Sequence, residues 1–168
     1  TLTLEPGVIF KATSGTTSFN VAGTLLVQGT AGNPVTFTSF SDDSAGGDTN
    51  GNGASLGTPG QWRGLSFLDT SDASVLEHCD VRFGGSGTGS NVLLAAADIV
   101  LRECAIASSA YRGIDLGGNS FPVLENCSVT NCSSDALALV PFTALGGFSD
   151  VVVSGNGGNF ARISDGTL

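Results

Sequence analysis

Three heptapeptides align in this chain without a gap: Val75-Leu-Glu-His-Cys-Asp-Val81, Val100-Leu-Arg-Glu-Cys-Ala-Ile106 and Val123-Leu-Glu-Asn-Cys-Ser-Val129. Their spacings are 25 residues (100 − 75) and 23 residues (123 − 100). A second series interleaves with the first: Leu65-Ser-Phe67, Val92-Leu-Leu94, Ile114-Asp-Leu116 and Ala136-Leu-Ala-Leu139, at spacings of 27 (92 − 65), 22 (114 − 92) and 22 (136 − 114). The period of 22–27 residues is built from short apolar runs separated by Gly, Asn, Asp and Ser. It suits one coil of a solenoid with three strands and three turns. The expected fold is therefore all-β: a right-handed parallel β-helix, three short strands per coil, one domain over residues 1–168.

The repeat also fixes which side chains face inward. Leu76, Leu101 and Leu124 end one strand, a two-residue bend follows (Glu77-His78, Arg102-Glu103, Glu125-Asn126), and Cys79, Cys104 and Cys127 open the next. Val81, Ile106 and Val129 lie two residues on and share the cysteine face, because strand side chains alternate. Each set should stack on its counterpart in the next coil, since no solenoid coil buries its apolar face alone. The three cysteines are expected as an interior ladder of thiols, with disulfide bonding between neighbours geometrically possible. Cys132, in Thr130-Asn-Cys-Ser-Ser134, reads as a turn residue, exposed or paired with Cys127.

Composition agrees with strands and turns. Only 12% of residues are charged, and the chain holds 25 glycines and no methionine; Val, Ile, Thr and Phe fill its apolar runs. A net charge of −9 with a pI near 4.1 argues against nucleic acid or an anionic bilayer as partner, because both require a positive field. The apolar runs are too short for membrane insertion. The opening strand-like stretch Thr1–Leu4 reads as part of a mature or excised piece of a larger protein.

The first third varies the same theme. Val8-Ile-Phe10, Phe19-Asn-Val21, Leu25-Leu-Val27 and Val35-Thr-Phe37 read as strands, and a long acidic Gly/Asp/Asn loop over 39–60 interrupts them. The last third offers Val151-Val-Val153 and Phe160-Ala-Arg-Ile163 as strands.

Several segments resemble the opening coils of bacterial right-handed parallel β-helix repeat proteins, which share the pectate-lyase-like solenoid. They are Thr1-Leu-Thr-Leu-Glu-Pro-Gly-Val8, Gly23-Thr-Leu-Leu-Val27, Asn33-Pro-Val-Thr-Phe-Thr38, Gly47-Asp-Thr-Asn-Gly-Asn-Gly53 with Asp42-Asp43 before it, Trp62-Arg-Gly64 and Val81-Arg-Phe-Gly-Gly85. The resemblance implies a module of a secreted or cell-surface protein. Two positions depart from it: Arg63 stands where a small glycine is common, and Asn52 where an aspartate is common.

For function, Asp48-x-Asn50-x-Asn52-Gly53 spaces oxygen ligands like the start of an EF-hand loop. With Asp42 and Asp43 these five residues are the expected calcium ligands, although Pro59 occupies the twelfth position, where a bidentate glutamate would stand. A solvated turn-rich loop is the plainer reading.

Cleavage of acidic polysaccharide by a lyase or hydrolase would need a strong base or two carboxylic acids. Asp115 and Asp135, near equivalent points of successive coils, with Arg112 beside them, are the candidates. His78 falls on the repeat's bend and reads as a turn residue. The T-x-T pairs Thr1/Thr3 and Thr36/Thr38 have no counterparts in later coils, so a flat threonine face is not expected. Trp62, Tyr111 and Phe142 could stack on sugar rings or pack beneath loops.

The favoured expectation is a non-catalytic extracellular module: a scaffold, adhesin-like surface or carbohydrate-contacting domain. Its expected partner is a polysaccharide or cell-surface glycan. Uncapped solenoid edges predict either further coils in a parent chain, end-to-end self-association, or the Phe-rich 142–148 loop folding over an edge.

Overall fold

The computed structural model describes residues 1–139 and 147–163, without the side chains of 160–163. The chain winds through six coils, each laying one strand into each of three parallel sheets. The first coil carries β1 (Leu2–Leu4), β2 (Ile9–Ala12) and β3 (Ser18–Val21). The second carries β4 (Leu25–Gln28), β5 (Val35–Ser39) and β6 (Gly64–Leu68), with the long loop inserted between the last two. The third carries β7 (Val75–Glu77), β8 (Cys79–Arg82) and β9 (Ser90–Ala95). β10 (Val100–Arg102), β11 (Ala105–Ala107) and β12 (Arg112–Gly117) form the fourth coil. β13 (Val123–Glu125), β14 (Ser128–Thr130) and β15 (Asp135–Leu139) form the fifth. β16 (Gly147–Ser149), β17 (Val152–Ser154) and β18 (Gly158–Ile163) form the sixth. Sheet A takes the first strand of every coil, sheet B the second and sheet C the third.

The expected register holds where the repeat is strongest. Leu101 pairs with Leu76 and Leu124, and Ile106 pairs with Val81 and Val129. All six are buried and belong to one apolar cluster that runs from Ala12 to Leu139. In the fifth coil the register differs by one: Ile114 pairs with Leu137, not Ala136. The interior wants volume at that rung, and Leu137 and Leu139 continue Ile114 and Leu116 where alanines would leave a void.

The bends are tighter than two residues. Glu77, Arg102 and Glu125 stay in their strands, and one residue turns each corner in the left-handed region: His78 (φ 45°), Glu103 (φ 53°) and Asn126 (φ 53°), with Asp150 (φ 51°) in the sixth coil. The second corner repeats the device with Phe83, Ser108, Asn131 and Gly155. Backbone pairing continues through the corners, His78 N–H donating to Arg102 O and Glu103 N–H to Glu125 O. That continuity holds a conformation most L-residues avoid.

Two asparagine amides, that of Asn91 buried and that of Asn156 half-buried, support the second corner. Asn91 accepts from Gly84 N–H and donates to the carbonyls of Val81 and Ala107. Asn156 accepts from Cys132 N–H and donates to Val129 O.

Candidate functional site

The cysteine ladder lies where the repeat puts it. Cys79, Cys104, Cys127 and also Cys132 are buried and free. The exposed or disulfide-bonded Cys132 of the sequence reading is corrected here: its turn folds inward, and its thiol packs against Gly113, where a Cβ would come within 3.3 Å of the sulfur. Of the two roles open to Trp62, the structure gives the packed one. It is 0% exposed, its indole N–H donates to Arg82 O, and its ring joins Phe10 in the first coils' core. Tyr111 is half-buried with the Arg112 guanidinium 4.9 Å from its ring centre. Phe142 lies outside the described residues.

The 39–60 loop is a strap over the outer face of sheet B. Asp42 is wholly buried and accepts from the Thr38 hydroxyl at 2.6 Å, the Ser44 hydroxyl at 2.6 Å and the Arg82 guanidinium at 2.8 Å. Burial alone would raise its pKa, but the Ser44 and Thr38 hydrogen bonds and the Arg82 charge together hold it below the ordinary carboxyl value. Asp43 closes the loop's neck by accepting from the Ser55 N–H and hydroxyl, and its other oxygen is buried without a partner. Asp48 accepts from the N–H groups of Gly51, Asn52 and Gly53, and Asn50 accepts from Asn52. Lys11 reaches up from β2 to Gly47 O and Thr49.

The five expected calcium donors therefore serve three separate local hydrogen-bond sets. Among the described residues no three His, Cys, Asp or Glu side chains are grouped to hold a metal ion. The strap also explains why Thr36 and Thr38, which point outward from sheet B, are buried.

The polysaccharide-cleavage candidates share two paired strands: Arg112 and Asp115 lie on β12 and Asp135 on β15, near enough for its charge to act on Arg112. Strand pairing sets Arg112 level with Ser90, and Asp115 level with Leu93 and Ala138; Asp135 lies three residues back along β15 and is only 3% exposed. Asp115 is tied to Arg112 at 2.7 Å. Burial tends to lower the Arg112 pKa, but Asp115 outweighs it and the net shift is upward, which keeps the guanidinium charged and unfit as a base. His78 is a half-buried corner residue.

On sheet A the charges form a ladder. Arg102 bridges Glu125 at 2.6 Å and Glu77 at 3.6 Å across three coils.

One surface feature escaped the sequence reading: an open groove of about 360 Å³ on the outer side of sheet C over β3, β6 and β9, bordered by Arg63. Its only sequence signal was Arg63 itself, standing where the resembled repeats carry glycine.

No protein-family model, curated protein or solved structure matches the chain.

Proposed function

We propose that this chain is a non-catalytic β-helix module of a secreted or cell-surface protein, whose outer strand faces contact polysaccharide. The observation that carries this reading is how the ionisable side chains of those faces are used. Arg82 meets Asp42, Arg112 meets Asp115, and Arg102 lies between Glu77 and Glu125. The first braces the strap, the Arg102 pairs tie neighbouring strands of sheet A, and the Arg112–Asp115 pair closes within β12; none presents two carboxylic acids across a cleft as hydrolysis needs. What remains on the outside of sheet C is a shallow groove rich in hydroxyl and amide groups, the chemistry that matches a sugar's own hydroxyls.

The test is a panel of immobilised neutral and acidic polysaccharides, with binding read by biolayer interferometry and the same mixtures assayed for reducing ends and unsaturated products. Binding to at least one glycan without product is the expected result. It should be equal in calcium and in EDTA, because no residue of the 39–60 loop lines the groove. Steady product release that Asp115→Asn removes would instead establish the lyase or hydrolase reading.

A further inference from the structure

We infer that the sheet C groove is a recognition site for a sugar carboxylate, with Arg63 as the residue that binds it. The inference rests on the glycan-contacting role proposed above and names the chemical class of ligand for it.

Charge supplies the first line of support. In a chain with 15 acidic and 6 basic residues, a cation is expected to find a carboxylate, and Arg82, Arg102 and Arg112 each do. Arg63 is exposed and meets none among the described residues. No aspartate or glutamate lines the groove it borders. A guanidinium left free in an acidic protein, beside a groove cleared of carboxylates, is complementary to an incoming one. Its planar fork matches a carboxylate through two parallel hydrogen bonds.

The second line is that the backbone holds Arg63 firmly. Its N–H donates to Thr17 O in the first coil and its carbonyl accepts from Gly85 N–H in the third, so the residue is anchored between two coils. The next residue, Gly64, has φ 119°, and a Cβ there would lie 2.1 Å from Ser90 O. The chain must carry glycine at that point for the backbone that bears Arg63 to pass this close to β9.

The third line is the floor. Ser18 donates its hydroxyl to Asn20 Oδ1 at 3.0 Å, which orients the Asn20 amide N–H groups outward with no partner among the described residues. Ser66 stands level with Asn20 on the neighbouring strand and Leu93 follows it. Along this row an amide donor, a hydroxyl and an apolar contact succeed one another. That sequence suits a pyranose ring, with its polar rim and apolar face. Beyond Leu93 the row reaches Asp115, already neutralised by Arg112, so it offers the carboxylate no unpaired negative charge.

The probes are trigalacturonate and its methyl ester, titrated into the folded 168-residue chain by calorimetry. Salt at about 0.15 M limits repulsion from the molecule's net charge to roughly 8 Å. Trigalacturonate should bind, and esterification should weaken binding about tenfold, the usual size for loss of a charge-assisted hydrogen bond. Arg63→Gln should weaken trigalacturonate by a similar factor and abolish the difference between acid and ester. Arg102→Gln, on sheet A, should change neither. Circular-dichroism melts confirm that each variant folds. Equal binding of acid and ester by the parent chain, or an Arg63→Gln variant that still separates them, would overturn this inference and leave the glycan-contacting role standing. Failure of the panel above to bind any glycan would remove both.

Discussion

Cys104 sits on the interior face of sheet B between Cys79 and Cys127, its thiol within hydrogen-bonding reach of Leu76 O at 3.3 Å. Contact with the Cys104 thiol, and then burial, pushes Cys127 far above the ordinary thiol range; burial also raises Cys132. The thiolate is the reactive form, so both access and ionisation protect these side chains. All four cysteines should resist Ellman's reagent in the native protein and react together after unfolding. Rapid native labelling of Cys104 would contradict the register, and rapid labelling of Cys132 would contradict its inward turn. The ladder was legible because three identical residues recur at the repeat spacing. Cys132 was not, because Thr130-Asn-Cys-Ser is locally a turn. Only Gly113 on β12 and Asn156 in the next coil, both distant in sequence, make room for it and tie it down.

Among elements, strands with branched apolar residues at alternate positions were readable, and β16 was not. Gly147-Phe-Ser149 carries a single apolar side chain, and it is a strand because it lies beside β13, pairing Phe148 with Leu124. The strap was readable as a loop, but its path was not, since nothing local announces that Asp42 meets an arginine on β8. That ion pair sets a pH dependence. Asp42 has a folded-state pKa below its ordinary 3.8, so its contribution is complete above that value and is lost as pH falls through the lower folded one. Asp80, on the same face, has its pKa raised by burial and changes stability in the opposite sense. The comparison of parent with Asp42→Asn isolates the first group. The variant should be less stable at pH 7 by on the order of 2 kcal/mol, below the roughly 3–5 kcal/mol of a fully buried pair, because Arg82 keeps some contact with water. Thermal melts should show the gap narrowing below about pH 4. A gap that is constant down to pH 2 would mean the Asp42 charge contributes nothing.

At the scale of the whole molecule, the same regularity that made the fold legible leaves the first coil with an open side among the described residues. The period, the interior ladders and the three sheets all follow from stacking like on like, and stacking has no internal stop. Among the described residues β1, β2 and β3 each pair on one side only. Leu4, Phe10 and Phe19 pack against the core only partly covered, and Leu2, Val8 and Ile9 are exposed. The groove, by contrast, was hidden from sequence reasoning because it depends on carboxylates being absent from its lining, and absence leaves no motif. Open parallel edges beside partly covered phenylalanines are a template for another strand. A polypeptide of these 168 residues should therefore associate through this end, its mean mass by multi-angle light scattering rising with concentration. Leu2→Lys and Thr3→Lys together place two like charges on the edge strand β1 without touching a buried residue, so they should suppress the rise while leaving the melting temperature of the dilute protein unchanged. If the parent chain stays strictly monomeric at millimolar concentration, the first coil is self-sufficient and its aromatic pile of Phe10, Phe19, Phe37 and Trp62 closes the end by itself.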